Sequence, residues 1–148
     1  MPLKERLQED WKQALKAREK LKVDTISMAR AAILHVEKSG GGQLDDVQII
    51  DIIAREIKQR REAILEFEKG NRQDLIDKNN DEIEILLGYL PQQLSEEEIY
   101  DIVRVIANEV GANSIKDLGK LMSAVVIRTK GRADGKIVSN IVKEHLNK

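Results

Sequence analysis

The chain has 148 residues, 41% hydrophobic and 34% charged but only 3% aromatic, with a formal net charge of −1 and no cysteine. Disulfides, thiolate zinc sites and cysteine nucleophiles are thereby excluded. An aliphatic, charge-rich and aromatic-poor composition predicts packed amphipathic helices rather than a sandwich or barrel, in one ordinary domain or two small ones.

The opening residues, MPLKERLQEDWKQALKAREK, are charged throughout and lack the apolar stretch of a secretory leader. No run approaches the roughly 18 apolar residues of a membrane helix, so the expectation is a cytoplasmic protein without membrane contact. Leu3, Leu7, Trp11 and Leu15 recur every four residues behind Pro2, a proline suited to a helix start. Trp11 reads as a core anchor of this first helix. From Val23 the stripe resumes with Ile26, Ala29, Ile33 and Val36, a second helix reaching about Lys38. The glycines of SGGGQ, residues 39–43, then form a flexible connection. A phosphate loop needs Gly-Lys-Ser/Thr opening the next helix, and Gln-Leu-Asp-Asp follows instead.

Asp45 and Gln48 predict a capping box at the start of a third helix, with Val47, Ile50, Ile53, Ile57, Ile64 and Phe67 as its buried line. Arg60 and Arg61 are expected to interrupt that line. Gly70 ends the helix, and Asn71 with Asp74 is expected to cap the fourth. There Leu75, Asn79, Ile83, Leu86 and Leu90 run up to the stop at Pro91. In LSEEEI, residues 94–99, Ser95 and Glu98 form a second capping box, with Leu94 and Ile99 in the staple positions. Ile99, Ile102, Val103, Ile106 and Val110 line this fifth helix to Gly111. Ser114 and Asp117 cap a sixth, whose buried side is Leu118, Leu121, Met122 and Val125. Lys116 and Lys120 point away from that side. Ile127 would also point outward, so the helix is expected to fray near Val126. Asp134 caps a last helix that buries Ile137 or Val138, then Ile141, Val142 and Leu146.

The predicted fold is all-α: long antiparallel helices over residues 1–91, then a compact three-helix domain over 92–148. No catalytic constellation stands out. His35 and His145 lack metal-ligand spacing, and the carboxylates cluster at helix starts, where they oppose the macrodipole. No cofactor or metal is therefore expected. Charge is uneven, however. From Ala112 to Lys148 eight basic residues meet three acids, in a chain whose total is −1. The segment TKGRADGK places Lys130, Arg132 and Lys136 among glycines just before a helix start. Such a turn can meet phosphates through cations, close backbone approach and helix amides. No aromatic lies in that region to stack an unpaired base, which disfavours sequence-specific reading of a single strand and leaves backbone and shape contacts to a folded RNA open beside a merely solvated basic turn.

The stretches EFEKGNRQDL, IEILLGYLPQQLSEEEI and LGKLMSAVVIRTKGRADGKIVSNIV resemble the YqeY family of small bacterial proteins. That family is similar to the C-terminal tail of the B subunit of the glutamine-dependent tRNA amidotransferase, a helical part that contacts tRNA away from the chemistry. The resemblance implies two all-helical parts, a tRNA partner and a link to tRNA-dependent amidation. It implies Lys120, Lys130, Arg132 and Lys136 as phosphate contacts, with the N-terminal helices as scaffold or protein-partner surface. It does not bring the carbon–nitrogen ligase activity, because the amide-hydrolysing and ATP-binding parts of that enzyme lie elsewhere. The alternative reading is a helical protein-interaction module without RNA.

Overall fold

The computed structural model describes residues 1–147, and among these it holds seven α-helices and no strand. The helices are α1 (Leu3–Lys16), α2 (Lys20–Val36), α3 (Asp46–Lys69), α4 (Gln73–Leu87), α5 (Glu96–Val110), α6 (Leu118–Thr129) and α7 (Gly135–Leu146). The all-α expectation holds. The chain divides into two compact units, Met1–Leu90 and Pro91–Lys148, each with its own apolar core.

In the first unit, α1 packs on α2 and α3 packs on α4, and α2 also meets both α3 and α4. Leu7, Ile26, Ile53 and Leu86 are fully buried at the centre. Pro2 offers no side-chain cap to α1; instead the Leu3 amide donates to Asp46 Oδ1 at 3.0 Å, so the start of α3 caps the start of α1. Arg18, at φ 58°, turns the chain into α2, which begins at Lys20 rather than Val23. Trp11 is half-buried against this core, its indole donating to Ser27 Oγ at 2.9 Å, with the Arg30 guanidinium 5.0 Å over its ring. After α2 a wide turn, Glu37–Gly41, leads to α3 through Gly40 at φ 102° and Gly42 at φ 61°. Glu37 stitches this turn down, accepting from Lys4 Nζ at 2.8 Å and the Leu44 amide at 3.3 Å. The Lys4 hydrogen bond leads in holding its carboxyl below the usual range.

Two stripes are corrected by helical geometry. Each four-residue step over-rotates by about 40°, so Ala14, not Leu15, comes round to the core of α1; Leu15 is exposed. On α3, Val47 lies about 120° from Ile53 and is exposed, while Ile49, Ile52, Ile53 and Ile57 are buried. Arg60 continues that buried line rather than breaking it, at 6% exposure. Its Nε donates to Glu82 Oε1 at 3.3 Å, its Nη1 to the Glu56 carbonyl at 3.1 Å and Oε1 at 3.3 Å, and its Nη2 reaches Met28 Sδ at 3.6 Å. The expected capping box of Asp45 and Gln48 is present. Asn71 does not cap α4; it takes the left-handed turn at φ 56°, and Arg72 holds Asp74 instead. α4 ends at Leu87, before the residue that Pro91 would restrict. Buried Tyr89 then donates its hydroxyl to Asp10, under the Arg6 guanidinium at 4.7 Å. Burial first, then the hydrogen bond to Asp10, pushes this phenol well above its usual value.

In the second unit, α5, α6 and α7 pack pairwise around Val103, Leu121, Val125, Val138 and Val142. The capping box of Ser95 and Glu98 is present, and Gly111 closes α5 in the left-handed region at φ 70°. Ser114 and Asp117 cap a short 3-10 turn, Ile115–Asp117, that feeds α6. α6 does not fray at Val126. It continues to Thr129, whose buried hydroxyl donates to the Val125 carbonyl at 3.0 Å, and it leaves Ile127 78% exposed. On α7 the buried residue is Val138, with Ile137 exposed.

Candidate nucleic-acid interface

The residues Thr129-Lys130-Gly131-Arg132 form a type II turn. Lys130 sits at φ −56°, ψ 125°, Gly131 at φ 75°, and the Arg132 amide donates to the Thr129 carbonyl at 2.9 Å. The third position of this turn requires positive φ, which glycine adopts without strain. The turn joins the end of α6 to the start of α7, so the backbone carrying Lys130, Arg132 and Lys136 is confined to one short segment.

Two of its carbonyls are engaged by the segment that leads into α5. Gln93 Nε2 donates to the Gly131 carbonyl at 2.8 Å, and the Leu94 amide donates to the Arg132 carbonyl at 2.7 Å. The sequence stretches YLPQQLS and KGRADGK are thus bonded to each other. Sequence reasoning missed Gln93 and Leu94 as parts of the site, although both lie in a stretch that carries the family resemblance.

Lys130 and Lys136 are exposed and Arg132 is half-buried. Arg132 lies near Glu98, whose carboxyl is held below its usual 4.5 chiefly by its hydrogen bonds with Ser95, with the Arg132 charge adding. At the α7 start, Asp134 Oδ1 accepts from the Lys136 amide at 3.1 Å. That part of the helix N-terminus is already capped. Lys120 is separate. It is exposed in the first turn of α6, beside Asp117, about 15 Å of helix away from Lys130. Arg128, near the end of α6, pairs with Glu109 at 3.6 Å. Three of the four expected cations therefore share the turn region and the fourth marks the other end of α6.

Among the described residues no group of His, Cys, Asp and Glu side chains has the arrangement of a metal site. Among those residues, too, no helix is long and apolar enough to cross a membrane. On the first unit, an open groove of about 220 Å³ lies against Lys4, Leu7, Arg30, Ile33 and Glu37. Leu15, Met28, Leu34 and Val47 are exposed on that unit.

The family described as Yqey-like protein matches residues 4–146. Among curated proteins the chain is similar to the mitochondrial protein called altered inheritance of mitochondria protein 41. It is 30% identical to that of Pyrenophora tritici-repentis over 94% of this chain and 78% of the relative. The Kluyveromyces lactis protein is 34% identical over 69% of this chain and 57% of the relative. For Lachancea thermotolerans the figures are 37% identity, 58% and 46%. The chain thus spans about half the length of the last two. The expected cytoplasmic location is corrected by these names, which are those of mitochondrial proteins.

Proposed function

Because the chain belongs to the Yqey-like protein family, and because its second unit presents a cationic turn built on a fixed backbone, we propose that it is a non-catalytic accessory protein that docks on folded RNA, tRNA above all. The observation that carries this reading is the type II turn at Thr129–Arg132, bonded through its carbonyls to Gln93 and Leu94. With the Thr129, Gly131 and Arg132 carbonyls bonded within the protein, the turn's offer to an anion is its cationic side chains. Lys130, Arg132 and Lys136 then meet phosphates, and Lys120 meets one farther along the RNA. Affinity comes from neutralised phosphates and released counterions, and selectivity from shape, since the unit has no aromatic residue after Tyr100 to stack a base. A link to tRNA-dependent amidation is part of the proposal.

The test is a fluorescence titration with total tRNA at two salt concentrations, on the wild-type chain and on a Lys130→Glu, Arg132→Glu, Lys136→Glu triple variant. Binding should weaken steeply with salt. The triple variant should lose both affinity and most of the salt slope, which falls by about 0.9 for each phosphate no longer neutralised. Absence of binding at low salt, or an unaltered triple variant, refutes the reading. A protein-interaction module would then be favoured, and its specific support is Ile127, 78% exposed on a helix that packs well up to it.

A further inference from the structure

The segment Pro91–Leu94 does more than connect α4 to α5. It opens the second unit and lies against a turn 38 residues farther along the chain. A carboxamide has two N–H donors on one nitrogen, and Gln93 uses its nitrogen twice, toward the Pro91 carbonyl at 3.1 Å and the Gly131 carbonyl at 2.8 Å. One side chain therefore shapes its own segment and grips the turn. One step on, the Leu94 amide donates to the Arg132 carbonyl at 2.7 Å, next to the Ser95 cap of α5. The bond from the Arg132 amide to the Thr129 carbonyl closes the turn, and Gly131, at φ 75°, sits in a region where glycine is permissive in both directions. Loss of the two cross-links would give the turn more freedom, and ordering it again on a ligand would subtract from affinity.

We propose that Pro91–Leu94 is a strap that holds the basic turn in its binding form, with Gln93 as the positioning residue. The proposal rests on the RNA reading for its ligand and adds that affinity depends on a side chain that carries no charge and touches no phosphate. It also places control of the turn in the segment where the second unit begins. A ligand or partner that displaced Gln93 would loosen the cations without contacting any of them.

The experiment uses the full chain. Amide hydrogen exchange of Leu94 and Arg132, read by NMR, reports the strap directly, and the tRNA titration at two salt concentrations reports its consequence. Gln93→Ala removes the carboxamide, Gln93→Met removes it while keeping the length of the side chain, and exposed Gln92→Ala is the control. Both Gln93 variants should exchange about five-fold faster at these two amides, the effect of losing one ordinary hydrogen bond. They should also bind tRNA more weakly with the salt slope unchanged, since every cation that meets a phosphate is still present. Gln92→Ala should leave both readouts alone. Unaltered exchange in the Gln93 variants overturns the strap whether or not RNA binds. Faster exchange with undiminished tRNA affinity overturns its role in positioning the cations. If the wild-type chain binds no tRNA, the RNA reading fails and the binding half of the proposal with it, while exchange still decides whether Gln93 holds the turn.

Discussion

Replacing Arg60 by Met should be among the most damaging single changes in the first unit. Arg60 is 6% exposed and Glu82 8% exposed, and Glu56 contributes a second carboxylate at 3.3 Å. Methionine fills most of the volume, so the main loss is electrostatic: buried carboxylates are left without their cation. Breaking a buried pair in this way costs about 3–5 kcal/mol, a large part of the roughly 5–15 kcal/mol that stabilises a domain. Removing both partners is different. An Arg60→Met, Glu82→Leu double variant should recover about half of the loss or more, because a hydrophobic replacement of the pair is often close to neutral. Glu56 stays in the double variant with its side chain 14% exposed, against 11% for Glu82, so the recovery should fall short of complete. Urea unfolding followed by tryptophan fluorescence suits the measurement, because Trp11 is the single tryptophan and lies in the first unit. At a slope of about 1–3 kcal/mol per molar urea, the single variant's midpoint should fall by more than about 1 M. A shift under about 0.3 M would mean that the ion cluster is effectively solvated. A double variant no better than the single one would refute the claim that the stranded carboxylate is what destabilises.

Glycine substitutions should diverge by position. Gly131→Ala forces a Cβ onto φ 75° and should destabilise by about 1–2 kcal/mol, whereas Gly119→Ala, inside α6 with open space around it, should stabilise by up to about 1 kcal/mol. Thermal unfolding by circular dichroism separates the two. Acid should act partly through Glu98, held below its usual 4.5. A depressed carboxylate adds stability that is full above the unfolded value and is lost as pH falls through the folded one. Glu98→Gln keeps an acceptor for the capping box and should flatten the stability loss below about pH 4.5; an identical acid limb in the variant would refute this.

The local parts of the fold are legible in the sequence. Asp45 with Gln48 and Ser95 with Glu98 are three residues apart, and such a box needs nothing from the rest of the chain. What depends on distant partners is not. Arg60 reads as a break because a cation in a stripe belongs to solvent by default, and its burial is made possible by Glu82, 22 residues away. Four-residue spacing suggests a straight stripe, and the drift of the helix moves Leu15 and Val47 outward. The turn carrying Lys130 and Arg132 is visible from its glycine and charge. The fastening by Gln93 is not, since nothing local marks a carboxamide that bonds 38 residues ahead. Charge alone groups Lys120 with the turn, and only the length of α6 separates them.

The bond between Asp10 and Tyr89 spans 79 residues, and with Arg6, which also donates to the Gly88 carbonyl at 2.9 Å, it joins the first helix to the closing residues of its unit. During synthesis that clasp cannot form until Tyr89 has left the ribosome. At about 5–20 residues per second, α1 waits several seconds after its own emergence before this clasp can close, with α2, on which it packs, following it directly. The nascent chain is then a helical unit without its last fastening, and whatever shields its apolar side during that interval shapes the yield of folded protein.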